Sequence, residues 1–473
     1  MRKAISYQLR NLRAPASRRV LILVPNRWRD LDGHVLLAYH LQRFYGHEVS
    51  MCGETALLKT FFEFAPDVVV IDHLGIESRA NLVRLAKRLG ARLVILPTAG
   101  FFQDRTREAR RAGKLFGVAH LVDRYLAWGE STSNYLQQEK LMTNDQLRIV
   151  GCVRFDFYSE HYFPLMRPKR VVLGELGFER VERPLIVWTT STYFANLPNP
   201  EEVVRSQVIQ AKRPAEELRA EIADCVTQFR EHSKLVLHLA RRHPEWNVII
   251  RVHPTETSKP YEAIAQQVDN IRVNTRGPIR ELLYHCDVLL QRGCTSATEA
   301  WMLGKPVLEL EIGKYHGAML PEYSSGNDVL SSQEEAEGVI EHYLAGAPVE
   351  KSLQRARERY LHNSYHLIDG GSSRRAAEAI DECISPPNYS DADQATTGSA
   401  ITKEFSRWRR NEDKRLANRA KDLLGIDRDV SLRFWKTTRA RKPANSFGLM
   451  TTDNTFSKET VQQLLEQYRF VCV

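Results

Sequence analysis

Short apolar runs alternate with helical stretches along most of the chain, and this alternation constrains the fold more than any other feature. The first half places strands in "RRVLILVPN", "HEVSMCG", "PDVVVID", "ARLVILPTAG", "DRYLAWG" and "LRIVGC", with helical periodicity over residues 34–46 and 77–90. Strands that alternate with helices are joined by crossovers into a parallel sheet covered on both faces. The first half therefore predicts a doubly wound, Rossmann-like domain. No GxGxxG follows its first strand, which argues against a dinucleotide site there.

The pattern pauses near residue 166 and then begins again. "MRPKRVVLGELGFERVERP" reads as a charged, loop-like connector, and it is followed by the strand "PLIVWTTS", a long helix over about 214–243, and the strands "NVII", "NIRVN", "DVLLQ" and "PVLELE". Two successive Rossmann-like halves predict a cleft that strand ends from both halves face. We predict an N-terminal domain at 1–165, a C-terminal domain at 166–385, a linker at 386–400 and a basic helical tail at 401–473.

The positive charge is concentrated at the two ends of the chain. The formal net charge is +9, but no acidic residue precedes Asp30, and residues 401–442 hold fourteen basic and six acidic residues. The rest of the chain is mildly acidic. This distribution favours basic arms that touch an anionic surface over a nucleic-acid groove in the globular body. The alternative is that the arms are simply solvated.

Cysteine usage and hydropathy indicate a cytoplasmic protein. The seven cysteines are scattered and never spaced as C-x-x-C, which argues against a disulfide framework or a structural zinc site. No stretch approaches the ~18 apolar residues of a membrane span, and "MRKAISYQLRNLRAPASRR" has no apolar core of a signal peptide. We expect no metal and no cofactor, and a position in the cytoplasm, peripheral on the inner face of the membrane if the basic ends bind it.

Polar residues follow the strand Asn247–Ile250 directly, in "RVHPTETSKP". Arg251 and His253 should therefore lie at the carboxyl end of that strand, where open α/β sheets bind their ligands. The alternative is a loop whose histidine and glutamate only cap the next helix.

A second polar turn lies in "HCDVLLQRGCTSATEAWMLGKPVLELE", between a strand and a helix that begins near Ala297. Free backbone N–H groups at the start of that helix, together with the hydroxyls of Thr295 and Ser296, would suit an anion. Glu299, one turn further, is placed to accept hydrogen bonds from ribose hydroxyls. The alternative is a capping box, with Ser296 as N-cap and Glu299 as its partner, which is worth ~1 kcal/mol without any ligand.

The ordered set "RDLDGHVLLAYHL", "DRYLAWG", "IVGCVRFDFY", "IIRVHPTET" and "GCTSATEAWMLGKPV" resembles the surface carbohydrate biosynthesis proteins. That group is related to GT-B glycosyltransferases and to UDP-N-acetylglucosamine 2-epimerase. The resemblance covers roughly residues 17–385, and it implies a GT-B-like α/β fold in which two Rossmann-like domains with parallel sheets face a cleft. The helical basic tail lies outside it.

The resemblance implies a nucleotide-sugar site on the second domain. Arg251 and His253 would face the phosphates, and a neighbouring diphosphate would favour the charged form of His253. Thr295 and Ser296 would bind the phosphates and Glu299 the ribose. Arg276, in the loop after "NIRVN", would border the base.

The first domain departs from the group at the end of its fourth strand. There the group's pattern has an acidic pair followed by glycine, whereas this chain has Thr98-Ala99-Gly100. Activation of an acceptor hydroxyl needs a base within reach of its proton. Asp30 is the strongest substitute, with His34 beside it, and Asp32 and Asp104 are further options; each is more often an exposed loop residue. Gly33, just before the predicted helix, should admit a substrate closely.

These features predict a glycosyltransferase of surface polysaccharide biosynthesis, which takes its sugar from a nucleotide-activated donor. Its partners would be that donor, a lipid-linked or polysaccharide acceptor and an anionic membrane surface, with no nucleic acid. The alternatives are a nucleotide-sugar 2-epimerase, a CDP-alcohol transferase, and a catalytically silent nucleotide-sugar-binding subunit.

Overall fold

The computed structural model of the chain describes residues 18–98, 109, 111–211, 214–254, 256–311, 321–384 and 457–471. Its strands are β1 (Arg19–Leu23), β2 (Glu48–Cys52), β3 (Val68–Ile71), β4 (Arg92–Ile95), β5 (Arg124–Ala127), β6 (Leu147–Ile149), β7 (Leu185–Thr189), β8 (Asn247–Arg251), β9 (Ile271–Asn274), β10 (Val288–Gln291), β11 (Val307–Leu310) and β12 (Asp328–Leu330). Its helices are α1 (Arg27–Tyr45), α2 (Leu57–Phe64), α3 (Glu77–Arg88), α4 (Glu130–Gln138), α5 (Lys169–Glu175), α6 (Pro200–Ala211), α7 (Ala215–Arg242), α8 (Lys259–Ala265), α9 (Ile279–His285), α10 (Ser296–Met302), α11 (Pro321–Ser324), α12 (Gln333–Leu344), α13 (Lys351–Tyr365), α14 (Ser372–Ile384) and α15 (Lys458–Val471).

The described strands form two parallel six-stranded sheets, which confirms the predicted α/β architecture of two Rossmann-like halves. The order is β2-β1-β3-β4-β5-β6 in the first sheet and β12-β11-β10-β7-β8-β9 in the second. Each order reverses once, between β1 and β3 in the first sheet and between β7 and β10 in the second. Ligands of such sheets bind at the carboxyl ends of the strands beside the reversal.

Both faces of each sheet are covered, which explains why the strands read as continuous apolar runs. In the first sheet, Leu21 and Leu23 of β1 pack into one apolar cluster, and Val20 and Ile22 pack into the cluster on the opposite face. The second sheet repeats this arrangement, with Ile186 and Trp188 on one face and Leu185 and Val187 on the other.

Helix α1 begins earlier than the sequence predicted. We expected a loop up to residue 34, but the helix starts at Arg27 because Asn26 caps it: the Asn26 side chain accepts a hydrogen bond from the Arg29 N–H at 3.0 Å. Asp30, Asp32 and His34 therefore lie on the first two turns of a helix. The cap fixes their directions relative to the end of β1.

The connector after residue 165 is also partly helical, and the expectation of a loop there was wrong. Residues 169–175 form α5, whose Val172 and Leu173 are buried against the second sheet. Strand β12, which the sequence analysis did not identify, extends the second sheet at its edge.

The chain returns to the first sheet after completing the second. Ala376, Ala377 and Ile380 of α14 pack among the apolar residues of β1 and α1. The carboxylate of Asp156 accepts the backbone N–H groups of Ser372 and Ser373 at 2.7 and 2.8 Å, and so satisfies the start of α14. Helix α14, which follows the second sheet in the chain, thus packs on the first half. The domain boundaries themselves stay a prediction.

The C-terminal helix α15 docks on the body of the protein. Its Val461, Leu464 and Leu465 pack against an apolar cluster that includes Leu31 and Leu36 of α1. The Ser457 hydroxyl accepts the N–H of Thr460 at 3.1 Å, so the predicted capped final helix is present. The linker and the basic part of the tail, residues 385–456, lie outside the described residues. No described helix combines the length and the apolar character that crossing a membrane requires.

Candidate functional site

The carboxyl edges of the two sheets face each other, and side chains from one contact the other directly. Arg154, in the short 3₁₀ segment Val153–Tyr158 that follows the first sheet, reaches Glu299 of α10, with Nη2 and Oε1 3.6 Å apart. Asp32 of α1 pairs with Arg280 of α9 at 2.5 Å. These contacts enclose the cleft that two Rossmann-like halves predict.

On the first side, the start of α1 holds both predicted catalytic residues. Arg29 donates to both carboxylate oxygens of Asp30, at 2.7 and 2.8 Å, and Asp30 is 1% exposed. Nδ1 of His34 lies 2.7 Å from the backbone oxygen of Asp30. Because a carbonyl only accepts, Nδ1 of His34 carries the proton and Nε2 is left with its lone pair. Burial lowers the pKa of His34, although Asp30 opposes this effect.

Thr98, where the group's pattern has a carboxylate, belongs to the same network. Its hydroxyl accepts from Arg29 Nη2 at 3.1 Å, and its backbone oxygen accepts from Arg154 Nη1 at 2.6 Å. Ala99, Gly100 and Asp104 lie outside the described residues. The described part of this strand end therefore binds two guanidinium groups and offers no carboxylate of its own.

Gly33 is explained by packing, and not by substrate access as we expected. A Cβ at this position would lie 2.7 Å from the Arg154 nitrogen and 2.9 Å from the Val153 carbonyl carbon. Real Cβ atoms do not approach backbone atoms this closely, so only glycine lets α1 pack against the segment that carries Arg154.

On the second side, hydroxyl groups gather where β7 and β10 end, at the reversal of strand order. The hydroxyls of Thr189 and Ser296 are 2.7 Å apart, and the backbone N–H of His253 donates to the Thr190 hydroxyl at 2.9 Å. The Ser191 hydroxyl donates to the backbone oxygen of Arg292. Of the predicted phosphate-binding hydroxyls, Ser296 is buried and bonded to β7, whereas Thr295 is partly exposed at the N-cap of α10.

The imidazole of His253 lies between positive charges. Burial, together with Arg29 from the first domain and Arg251 from its own strand, lowers the pKa of His253 to about 4. The free protein therefore holds this imidazole neutral at physiological pH. The expectation that His253 is charged concerns the complex with a diphosphate and stays a prediction.

Arg251 has a structural partner of its own. Its guanidinium donates to the side chain of Asn274 and to the backbone oxygens of Arg276 and Gly277, the last two at 2.5 and 2.8 Å. Burial lowers its pKa to about 10. Arg251 thus fixes the loop that carries the exposed Arg276, and contact of either side chain with a phosphate or a base stays a prediction.

Glu299 does not form the capping box that the S-x-x-E spacing allowed. The helix begins at Ser296, the N-cap Thr295 makes no side-chain capping bond, and the Ser296 hydroxyl is directed to Thr189. The Glu299 carboxylate instead accepts from the Tyr158 hydroxyl and faces Arg154. Glu299 is therefore turned into the cleft.

Glu256, which the sequence suggested only as a helix cap, lies beside His253. Its carboxylate accepts from the hydroxyls of Tyr261 and Thr192, and burial raises its pKa to about 7. Its Oε1 is buried without a hydrogen bond among the described residues. Helix α8 begins at Lys259 behind the N-cap Ser258 with no side-chain capping bond, so neither His253 nor Glu256 caps it.

Asp72 and His73 are a further pair at the reversal of the first sheet, immediately after β3. Burial opposes ionisation of Asp72, but His73 and Arg79 outweigh it and lower the pKa of that carboxyl. Nε2 of His73 lies 3.5 Å from Oδ2 of Asp72, and Arg79 lies 3.2 Å from Oδ1. An acid and a histidine directly after "PDVVVI" were the sequence signal for this pair.

Among the residues that the structure describes, one cluster could hold a metal ion, but it lies away from the cleft. The ligand atoms of His243, Glu337 and Glu341 lie within 4.8 Å of one another, just before the amino end of β8. Glu337 already pairs with Arg242 at 2.7 Å. None of the residues predicted for the site belongs to this cluster.

Two Rossmann-like halves whose carboxyl edges enclose a cleft, with α14 crossing back to the first, define a GT-B-like fold. A putative UDP-N-acetylglucosamine 2-epimerase from Listeria monocytogenes superposes with a TM-score of 0.50 at 11% identity, over 78% of this chain and 96% of that chain. S. aureus MnaA with UDP superposes with a TM-score of 0.49 at 12% identity, over 79% of this chain and 100% of that chain. A variant of the wall teichoic acid polymerase TagF superposes with a TM-score of 0.49 at 11% identity, over 81% of this chain and 92% of that chain. No protein-family model and no curated protein matches the chain. At these identities the likeness is one of fold.

Proposed function

We propose that this protein is a GT-B-type glycosyltransferase of surface polysaccharide biosynthesis, which transfers a sugar from a nucleotide-activated donor to a lipid-linked or polysaccharide acceptor. The observation that carries the proposal is the direction of Glu299. This carboxylate lies at the strand-order reversal of the second sheet, where Tyr158 and Arg154 hold it and the helix does not use it. Its remaining lone pairs would accept hydrogen bonds from the two hydroxyls of a ribose.

The neighbouring groups suit the rest of a nucleotide sugar. Thr295 and the start of α10 offer donors to the phosphates, and His253 supplies a group that becomes cationic beside them. Arg276, on the loop that Arg251 fixes, is exposed where it could border the base. No step requires a metal or a bound cofactor, because these donors can compensate the phosphate charge.

Asp30 is the proposed base of the acceptor side. The bidentate bond from Arg29 holds its carboxylate in one orientation, and the lone pair on Nε2 of His34 offers a second acceptor for a proton one helical turn away. Arg29 would also favour an anionic acceptor near the base.

Nucleotide-sugar binding should take up a proton at His253. If the bound diphosphate returns the pKa of His253 from about 4 to its ordinary value of ~6.5, affinity should be about fourfold higher at pH 6 than at pH 8. The sign follows because a pKa that rises on binding makes binding tighter as the pH falls. Calorimetry in buffers of different ionisation enthalpy measures the uptake.

His253→Ala should abolish this proton uptake. His232→Ala is the matched control, since burial also lowers the pKa of His232 to about 4 but its ring bonds the backbone oxygen of Leu310. An uptake that survives in His253→Ala would show that another group titrates.

A catalytically silent nucleotide-sugar-binding subunit is the second candidate. It is favoured by Thr98 at the end of β4 and by the ion pair that occupies Asp30. Donors labelled separately in the sugar and in the base distinguish the candidates. Transfer or slow hydrolysis releases labelled sugar, a 2-epimerase returns an intact nucleotide sugar with altered C2, and a silent subunit binds the donor unchanged.

The basic tail is proposed to hold the enzyme on anionic lipid. Because α15 packs on α1, deleting residues 401–473 would also expose apolar surface, so charge replacement is the cleaner test. Arg407, Arg409 and Arg410 changed to Gln should weaken binding to acidic vesicles by ~1 kcal/mol per residue, with the loss smaller in high salt. Arg230, Lys234 and Arg241, exposed on α7, are the control positions. Equal binding of both triple variants would contradict the proposal.

A further inference from the structure

Arg154 is a cation shared by the two halves of the cleft. Its Nη1 lies 3.7 Å from Oδ1 of Asp30 on α1, and its Nη2 lies 3.6 Å from Oε1 of Glu299 on α10. Nη1 also donates to the backbone oxygen of Thr98 at 2.6 Å, which fixes the guanidinium between the two carboxylates. One charge therefore serves the proposed base and the proposed ribose acceptor.

The Arg154 guanidinium lies in an apolar, buried environment, which strengthens its electrostatic interactions. Its guanidinium carbon lies 5.3 Å from the ring centre of Trp128 and 4.7 Å from that of Phe155, and the side chain is 9% exposed. Its Nε is buried without a hydrogen bond among the described residues. Buried opposite charges stabilise each other. If one is removed, the charge that remains is left without a partner, because water cannot solvate it there.

Each carboxylate has a second partner, but the two partners differ in kind. Asp30 retains the bidentate guanidinium of Arg29, whereas Glu299 retains the neutral hydroxyl of Tyr158. Glu299 therefore depends more on Arg154 than Asp30 does. Without the Arg154 charge, a proton is the cheapest way to neutralise a carboxylate buried at this site.

We propose that Arg154 is the positioning residue that keeps Glu299 ionised, and so able to accept both ribose hydroxyls. Arg154 also connects Glu299, on the donor side of the cleft, to Asp30 on the acceptor side. The ribose half of this inference rests on the proposed function. The electrostatic half, a shared cation that keeps a buried carboxylate ionised, does not.

Other charged or titratable groups face this network from each element packed against it. They are Arg29 and His34 of α1, Asp72 after β3, Cys152 and Tyr158 beside Arg154, Arg251 of β8, Arg280 of α9, Cys294 before α10 and Tyr365 of α13. Variants are therefore compared with the wild type at the same pH, so that contributions common to both cancel.

The first test measures thermal stability and needs no ligand. Arg154→Met should lower the melting temperature more at pH 8, where the buried carboxylates must stay ionised without the cation, than at pH 5, where one takes up a proton. We expect the deficit at pH 8 to exceed that at pH 5 by about 3 °C or more. Arg154→Lys, which keeps the charge, should show a smaller dependence on pH.

Arg357→Met is the matched control for this test. Arg357 is buried, but its guanidinium donates to the backbone oxygens of Gly326 and Lys305 and pairs with no carboxylate among the described residues. Its replacement should lower stability by an amount that depends little on pH. An equal deficit of Arg154→Met at pH 5 and pH 8 would overturn the proposal.

The second test measures affinity for the nucleoside diphosphate that the wild type binds, and its pH dependence runs the other way. Relative to wild type, Arg154→Met should lose about threefold or more in affinity at pH 6, where a carboxylate buried without its cation takes up a proton, and recover at pH 8.5. Should Arg154→Met fail to fold, Arg154→Gln replaces it, because the amide can still donate to the backbone oxygen of Thr98 but carries no charge; we expect a loss in the same direction. A loss equal at both pH values, or no loss at either, would contradict the role of Arg154. If the wild type binds no nucleotide, the proposed function is contradicted. The stability test still shows whether Arg154 keeps a buried carboxylate ionised.

Discussion

Replacing Asp30 by asparagine is expected to lower turnover about 100-fold, with nucleotide affinity changed less than threefold. An asparagine fits the same space beside Arg29 but cannot take a proton from an acceptor hydroxyl. The loss should appear in kcat with the Kd for the donor nearly unchanged, because the carboxylate contacts the acceptor side of the cleft. Steady-state kinetics and direct titration of the donor separate the two quantities.

Asp123→Asn provides the control for this substitution. Asp123 is also little exposed and ion-paired, with Lys87 and Arg92 at 2.9 and 2.8 Å, but it lies at the amino edge of the first sheet. It should lose stability and keep kcat within about threefold. If Asp30→Asn retains wild-type turnover, the base lies elsewhere, and Asp72 and His34 become the next residues to test.

Glu299→Gln is expected to weaken nucleotide affinity at least tenfold, about 1.4 kcal/mol, while the fold stays cooperative. The amide keeps the shape of the side chain, but its NH₂ group cannot accept a hydrogen bond from the hydroxyl donors that the carboxylate faces. His253→Ala should lose a similar amount at pH 6, because the charge, worth about fourfold there, and the hydrogen bond of the imidazole to the phosphate are both missing. Titration calorimetry with the nucleoside diphosphate measures both.

The matched control for Glu299 is Glu281 on α9. Its carboxylate is likewise ion-paired to an arginine, with Arg167 at 2.7 Å, and the residue is 8% exposed against 5% for Glu299. Glu281→Gln should leave affinity within about twofold. Unchanged affinity in both Glu299→Gln and His253→Ala would contradict a nucleotide site at this edge of the cleft.

Local sequence signals predicted the sheets because buried parallel strands need continuous apolar runs. "RVLIL", "VVVI" and "NVII" were recognisable for that reason, and the polar residues that follow "VVVI" and "NVII" directly marked the carboxyl edge. His253, Thr295 and Glu299 were found by that rule. The same rule also applied to Asp72 and His73, which follow β3 in the same way.

Long-range partners could not be read from the sequence. Tyr158 and Glu299 are 141 residues apart, and nothing within either segment indicates that the hydroxyl meets the carboxylate. The local S-x-x-E spacing instead favoured a cap that the helix does not use. Arg251 shows the opposite case. A strand-end arginine suited a phosphate equally well, but its guanidinium donates to Asn274 at the end of β9 and to two backbone oxygens of the loop that follows.

Asp30 lies on a helix, and not in a loop, because the Asn26 side chain caps that helix. Periodicity located the apolar face of α1 from residue 34 onward, but Asn26 extends the helix back to Arg27 by capping it. A cap followed by "RWRD" carries little apolar signal, so the pattern could not show where the helix begins.

The most direct measurement is a binding panel of UDP, CDP, CMP, GDP and ADP with the full chain and its Glu299→Gln variant. We expect one nucleoside diphosphate, at about 100 times its Kd, to stabilise the wild type by about 2.7 kcal/mol, and the variant to require at least tenfold more of it. If no nucleotide stabilises the wild type, or if the variant responds as the wild type does, the nucleotide-sugar site at Glu299 is contradicted.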